Sequence, residues 1–267
     1  MSILRTLAIY FLAAIALLAL VPELWLKTRY DTQFRATPDA HPSKQFLLGT
    51  DDLGRDRFVR LLYGTRVSLL LACAAAFLSC LAAAALGGLA GFAGGALDQS
   101  ILAAADLFLS LPWLFLLLMV RAFLPLNVSP ATSVGITFFL LGVLGWAAPA
   151  RIVRAAIRKL KDSDFILQAR ATGCTPGRLL WRHLMPNVMP VFFAQFLIAV
   201  PAYVLAETTL GMLGLGVQQP LPSWGNLLRE LEGGGVTSQP WLLVPALLLA
   251  AVVGCLQLIM PREDYSA

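Results

Sequence analysis

Long apolar runs alternate with short polar stretches along this chain, and the alternation predicts its architecture. Six runs are apolar over the roughly 20 residues needed to cross a bilayer as a helix. Because backbone groups in lipid must be hydrogen-bonded within their own segment, we predict an all-α polytopic membrane protein with about six transmembrane helices. The predicted spans are residues 6–26, 67–92, 101–124, 131–150, 188–215 and 241–260.

The composition agrees with lipid as the main solvent. Of 267 residues, 58% are hydrophobic and 13% are charged, whereas a soluble domain has about 25% charged residues. The net charge of +5 fits loops beside anionic lipid headgroups and does not call for a nucleic-acid partner. The four cysteines lack metal-ligand spacing, so we interpret them as packing residues.

Three polar stretches separate the apolar runs. We divide the chain into a first helix with its loop (1–66) and a five-helix core (67–267), which contains a stretch that we call the basic segment (151–187). With six spans, the loop 27–66 and the basic segment lie on opposite sides of the membrane. Each holds eight Lys or Arg residues, so the positive-inside rule leaves the orientation open.

The first half of the basic segment is predicted to continue the fourth span as a helix. Arg151, Arg154 and Arg158 are spaced i, i+3, i+7, which places them on one helical face. The helix should run on through 164–172 and stop at Gly173, a residue suited to the left-handed conformation after a helix end.

The second half is predicted to be a short amphipathic helix at the membrane surface. Thr175 is a suitable N-cap and Pro176 a suitable first helical residue, and Pro186 should end the helix. Arg178 and Arg182 would share one face, with two leucines opposite. From these residues alone, a helix that merely rests on headgroups is an alternative to a docking helix.

The polar stretch LLGTDDLGRDRFVRLLYGTRVSLL, residues 47–70, precedes the second span. Thr50 and Asp51 are suited to capping a helix or a turn. Arg55 can order the loop by pairing with Asp51 or Asp56. A calcium loop is disfavoured because the acidic residues lack the required spacing.

Two acidic residues, Asp106 and Glu207, fall within or near predicted spans. An ionisable group in a span costs about 2.5–3.5 kcal/mol on insertion scales, so both should face the bundle or a cavity. Two readings stay open for each: a structural partner inside the bundle, or direct contact with a transported solute.

The basic segment resembles the cytoplasmic signature of ABC-importer inner-membrane permeases, in their dipeptide, oligopeptide and nickel branch. That signature reads E-A-A, three residues, Gly, nine residues, I-x-L-P. Gly173 and Pro186 have its separation, and further matches are Ala169, Arg170, Ala171, Arg182, His183 and Asn187. Leu167, Gln168 and Met185 depart from it; Asp164, one turn earlier, could partly replace the missing glutamate.

Two further stretches resemble the same family, so the likeness covers most of the chain from Leu47 onward. The first is the stretch 47–70, with Gly49, Thr50, Asp51, Gly54, Arg55 and Asp56 among its matches. The second, LAETTLGMLGLGVQQPLPSWGNLL, spans 205–228 and includes Glu207.

The resemblance implies an importer subunit in the bacterial inner membrane, with the basic segment as its coupling helix and both termini cytoplasmic. Partners implied are a homologous second permease, ABC ATPase subunits and an extracytoplasmic solute-binding protein, which the loop 49–56 would meet. The residues assigned to ATPase coupling are Ala169, Arg170, Gly173, Arg178, Arg182, His183 and Pro186; Asp106 and Glu207 are candidates for the translocation path.

The chain contains no GxxxxGK[ST] phosphate loop, so we expect no cofactor here, with ATP and magnesium on the ATPase subunits. A secondary transporter or channel is an alternative, although no internal repeat is evident. An intramembrane enzyme is another, although both histidines, His41 and His183, lie in the polar stretches between predicted spans and no catalytic motif is recognised.

Overall fold

The computed structural model describes residues 3–26, 28–125, 128–233 and 239–260. The ends of the chain, which the resemblance assigns to the cytoplasm, lie outside these ranges. Helices dominate the described residues, and Thr50 and Asp56 form an isolated β-bridge. The α-helices are α1 Ile3–Leu20, α2 Pro22–Trp25, α3 Arg57–Ala93, α4 Gly95–Ser110, α5 Trp113–Phe123, α6 Pro130–Leu144, α7 Ala147–Lys161, α8 Asp164–Ala171, α9 Pro176–Leu179, α10 Met185–Met212, α11 Trp224–Leu228 and α12 Val244–Ile259.

The predicted all-α polytopic class is confirmed. Five helical stretches are long and apolar enough to cross a membrane, and a sixth is added if the bent pair of α4 and α5 counts as one span. Helix α3 begins ten residues before the predicted second span. Its 37 residues extend for about 55 Å, longer than the roughly 30 Å apolar thickness of a bilayer.

The third predicted span differs from a single straight helix, because α4 and α5 meet at an angle of 86°. The bend lies at Leu111, which is extended with φ −97° and ψ 140°. Pro112 follows it, and a proline disfavours helical geometry in the residue before it and removes a helical N–H donor. A hydropathy pattern does not register this break, since the residues on both sides remain apolar.

The fourth span continues into the basic segment as predicted, with one interruption at Gly145 and Trp146. Pro149 explains the break, because it has no N–H for the carbonyl of Gly145, its partner in an uninterrupted α-helix. Beyond the break, α7 carries the arginine face as far as Lys161.

Contacts within the chain define two compact units, each made of several segments. One comprises Met1–Ala72, Arg121–Phe138 and Val200–Ala267. The other comprises Cys73–Val120 and Phe139–Ala199, and it contains the basic segment.

In the second unit, α3 and α7 approach each other closely at glycine positions of α3. A Cβ atom on Gly87 would lie 2.2 Å from the carbonyl oxygen of Ala150, and one on Gly91 would lie 2.8 Å from the carbonyl oxygen of Arg154. Small residues at helix interfaces allow backbones to come together in this way. The glycines of α3 therefore set the distance between α3 and the helix that leads into the basic segment.

We expect Gly87→Ala to destabilise the protein by about 1–3 kcal/mol, because the added methyl group clashes with backbone that cannot move alone. Gly88→Ala is the matched control, since its Cβ would make an ordinary contact of 3.6 Å with Ile157. Thermal unfolding of the purified protein in detergent should show a lower melting temperature for Gly87→Ala only. Equal melting temperatures for the two variants would contradict this account of the interface.

Candidate functional site

The turn after α8 has the predicted left-handed glycine. Gly173 has φ +79°, and its N–H donates to the carbonyl of Arg170 at 3.0 Å. The N–H of Cys174 donates to the carbonyl of Ala169 at 3.1 Å. These two bonds form a Schellman motif, which ends a helix while satisfying its last carbonyl groups.

The helix restarts as predicted, with Thr175 in the N-cap position and Pro176 as the first helical residue. The Thr175 side chain forms no capping hydrogen bond with the described residues. One feature of α8 was not anticipated: it is separated from α7 by a turn at Asp162 and Ser163.

The prediction that Pro186 ends the second helix is wrong. A π-helical turn, Leu180–Leu184, follows α9 and leads directly into α10, whose second residue is Pro186. A π turn is wider than an α turn, which gives the proline ring room beside the carbonyl groups that precede it. The side-chain amide of Asn187 donates to the carbonyl of His183 at 2.6 Å. Helical structure is therefore continuous from Pro176 into the following span.

One face of the basic segment is anchored in an apolar core. The buried members are Val153 and Ile157 of α7, Ile166 of α8, and Leu179, Leu184 and Val188 from the second half of the segment and the start of α10. Ala169 packs against this cluster, as does Leu180. The predicted leucine face is therefore the inward face, and it fixes the helix–turn–helix against α7.

The opposite face is basic and exposed. Arg170, Arg178 and Arg182 all lie on the surface, and none of the three forms an ion pair with the residues that the structure describes. Two apolar side chains share this exposure: Trp181 is 70% exposed and Leu167, at the signature's glutamate position, is 50% exposed. Such a surface is suited to an acidic groove with apolar walls on another protein.

The loop 47–56 is ordered by a buried carboxylate, that of Asp51. Asp51 Oδ1 accepts from the backbone N–H groups of Leu53 at 3.0 Å and Arg55 at 2.7 Å. Its Oδ2 accepts from Arg55 Nε at 2.6 Å and lies 3.6 Å from Arg60 Nε. Of the two predicted alternatives for Arg55, the pair with Asp51 is the one that forms.

The other matched residues of this loop have backbone roles. Asp56 Oδ1 accepts from the N–H of Phe58 at 2.9 Å, close to the start of α3. Thr50 Oγ1 donates to the carbonyl of Thr37 at 2.5 Å. Gly49 and Gly54 both have φ +71°, and a Cβ on Gly49 would lie 2.2 Å from a neighbouring carbonyl oxygen.

Residues of this loop line a polar cavity of about 470 Å³. Arg57 lines it and pairs with Glu230 at 3.1 Å and Asp39 at 3.7 Å. Burial raises the pKa of Glu230, and the Arg57 guanidinium opposes this rise. Burial likewise raises the pKa of Asp56, against the hydrogen bonds from Val59 and Phe58.

Glu207 is fully buried and belongs to a polar network. Ser68 Oγ donates to its Oε2 at 2.9 Å, and the backbone N–H of Trp224 donates to Ser68 Oγ at 3.0 Å. The Trp224 indole donates to Thr65 at 3.0 Å. The carboxylate thus helps to hold α11 against α3 and α10.

Asp106 lies in α4 and is exposed. Its Oδ1 is 3.0 Å from Nη2 of Arg151 in α7, which is also exposed. The two acidic candidates for the translocation path therefore have different surroundings, one enclosed by the protein and one accessible.

Sequence reasoning missed Asp98, a third acidic residue in an apolar region. It lies in the first turn of α4 and pairs with Arg154 and Arg158 of α7. The i, i+3, i+7 arginine spacing was recognised, but its acidic partners could not be located without knowing which helix packs against α7. The sequence signal that could have pointed to Asp98 is an acidic residue shortly after Gly94 and Gly95, between two apolar runs.

The sequence matches known membrane proteins over most of its length. Residues 83–261 match the family of binding-protein-dependent transport system inner membrane components. Over 227 residues the chain is 33% identical to the oligopeptide transport system permease protein OppC of Bacillus subtilis (strain 168), covering 85% of this chain and 72% of that protein. It is 32% identical over 253 residues to OppC of Escherichia coli (strain K12), covering 93% and 81%.

A third relative is the dipeptide transport system permease protein DppC of Bacillus subtilis (strain 168). It is 34% identical over 189 residues, which cover 71% of this chain and 57% of that protein. The family match covers the basic segment and both acidic path candidates, and the apolar helices agree with a multi-pass protein of the inner membrane. The chain belongs to the family of binding-protein-dependent transport system inner membrane components.

Proposed function

We propose that this chain is one of two homologous transmembrane subunits of an ATP-driven importer of peptides or similar small solutes. The observation that carries the proposal is the basic segment: an exposed arginine face on a helix–turn–helix whose other face is fixed in an apolar core. Peptide permeases are among the most similar relatives, which supports peptides as the class of solute.

In this proposal the basic segment is cytoplasmic, and its part from α8 to the π turn docks in a groove on an ABC ATPase subunit. Arg170, Arg178 and Arg182 would meet acidic residues of that groove, while Trp181 and Leu167 would fill apolar pockets. Ala169 and Gly173 shape the turn, and His183 and Pro186 belong to the helical connection into α10. ATP and magnesium would bind to the ATPase subunits, and this chain would carry no cofactor.

With the basic segment in the cytoplasm, both ends of the chain would be cytoplasmic and the loop 47–56 would face outward. Its order, fixed by Asp51, would present a preformed surface to a solute-binding protein. Asp106 and Glu207 stay candidates for the path. Asp106 is accessible in this state, and Glu207 would need a rearrangement to meet a solute.

The test is reconstitution of this chain with the second permease, the ATPase subunits and the binding protein from the same genome. We expect co-purification of the ATPase subunits and ATP hydrolysis that rises when peptide-loaded binding protein is added. Proteoliposomes should then take up peptide only with ATP. Failure of the ATPase subunits to associate, or uptake driven by an ion gradient without them, would refute the proposal.

A further inference from the structure

The proposed function leaves one partly buried ion pair, between Asp98 and Arg154, without a role. Asp98, in the first turn of α4, is 7% exposed. Arg154 of α7 forms a bidentate pair with Asp98: its Nε donates to Asp98 Oδ1, and its Nη2 donates to Asp98 Oδ2 at 2.6 Å. Arg158 Nη1 lies 3.6 Å from the same Oδ2. A bidentate guanidinium–carboxylate pair fixes the relative orientation of the two side chains as well as the distance between them.

A second contact ties α7 to the end of α3, immediately before α4. Lys161 Nζ donates to the carbonyl of Phe92 at 2.7 Å and lies 5.8 Å from the centre of the Phe92 ring. A cation at a helix C-terminus is favourable because it meets unpaired carbonyl groups and the negative end of the helix dipole. The turn between α3 and α4 is thus held by α7 on both of its sides.

The same helix, α7, is fixed to α8, α9 and the π turn by apolar contacts. Val153 and Ile157 lie in one core with Ile166 and Leu184, and Phe92 packs against that core. Gly91 of α3 packs closely against the same helix, because an added Cβ would lie 3.1 Å from Ile157. A displacement of α8 and α9 would therefore displace α7 and the residues bound to its arginine face.

We propose that the Asp98–Arg154 pair is a positioning contact that transmits movement of the basic segment to α4. This inference rests on the proposed function, since it assigns the route by which a docked ATPase would act on one span. Asp106 lies eight residues beyond Asp98, about 12 Å along α4. The transmitted movement would therefore reach a candidate residue of the path.

The second ion pair between these helices cannot substitute for the first. Arg151 and Asp106 are 50% and 57% exposed at their side chains, and exposed pairs contribute little because water and salt screen them. The less exposed, bidentate pair of Asp98 and Arg154 is the more rigid of the two. Its stiffness depends on the planar guanidinium, so a lysine, although equally charged, does not reproduce it.

The experiment uses the complete complex in proteoliposomes, with a radiolabelled oligopeptide and the binding protein, and measures peptide imported per ATP hydrolysed. Asp98→Asn and Arg154→Lys should each lower this ratio, the former by about tenfold, within the range of coupling between distant sites. The exchange Asp98→Arg with Arg154→Asp should restore part of it. Lys159→Gln is the control: Lys159 is exposed on α7 and forms no ion pair with the described residues, so the ratio should stay at the wild-type value.

Arg154→Lys keeps the charge, so it tests the idea even if Asp98→Asn fails to assemble. A wild-type ratio in Arg154→Lys would overturn the inference, as would equal loss in Lys159→Gln. A merely structural role predicts lower yield with an unchanged ratio. The wild-type complex is measured in the same series. If the wild-type complex shows no ATP-dependent uptake, the proposed function itself is refuted. If the wild-type complex and the variants import the same amount of peptide per ATP, only this inference is refuted.

Discussion

Replacement of Gly173 by proline is expected to abolish the association of this chain with its ATPase subunits. Gly173 has φ +79°, and proline is confined to a φ near −65°. Proline would also remove the N–H that donates to Arg170. Both bonds of the Schellman motif would be lost, so α8 and α9 could no longer keep the angle that presents their arginines on one surface.

Co-purification with the tagged ATPase subunits and ATP hydrolysis stimulated by loaded binding protein would measure the effect. Gly177→Ala is the matched control in the same segment, because Gly177 lies within α9 and an added Cβ would meet open space. Gly173→Ala should fall between the two, since a left-handed alanine costs about 1–2 kcal/mol. Association and stimulated hydrolysis that survive Gly173→Pro would remove the basis for a coupling role.

Asp51→Ala is expected to destabilise the loop 47–56 and its neighbours by about 3–5 kcal/mol, the usual cost of breaking a buried ion pair from one side. Arg55 and Arg60 have side chains that are 4% and 0% exposed, so removal of the carboxylate leaves two guanidinium groups enclosed without their counter-charge. Two backbone N–H groups also lose their acceptor. A loss of this size is a large part of the stability of most proteins.

The neighbouring acid provides the control for this second prediction. Asp52 is exposed, and Asp52→Ala removes the same charge one residue away. Thermal unfolding in detergent, together with limited proteolysis of the loop, should separate the two variants, with early cleavage in Asp51→Ala alone. Under the proposed function, only Asp51→Ala should weaken stimulation by the binding protein. Wild-type stability in Asp51→Ala would mean that the carboxylate does not organise this loop.

Local signals predicted local structure well. Gly173 was identifiable because few residues other than glycine adopt the conformation that follows a helix end, and the pair of Arg55 with Asp51 was one of two close alternatives. Features that depend on three-dimensional neighbours could not be read in the same way. The partner of Arg154 lies 56 residues away, and no spacing rule connects the two.

The effect of a proline depends on both the local sequence and its three-dimensional neighbours. Pro112 breaks a predicted span, whereas Pro186 sits inside a helix that it was expected to end. The difference lies in the preceding turn: Leu111 is extended, but Leu180–Leu184 widen into a π turn that accommodates the ring. A proline in a sequence shows that one backbone N–H donor is missing. The surrounding residues determine whether the helix breaks there or accommodates the proline in a wider turn.

The π turn between α9 and α10 also bears on the direction in which the exposed basic face points around the axis of α10. Each residue of an α-helix advances the chain by about 100°, and a π turn encloses one residue more than an α turn. Both turns complete about one revolution, so loss of a single residue within 180–184 would convert the π turn into an α turn and leave Arg178 on nearly the same side of the axis of α10. The π turn therefore lets this connection hold one residue more than an α-helix would, while the basic surface keeps its direction.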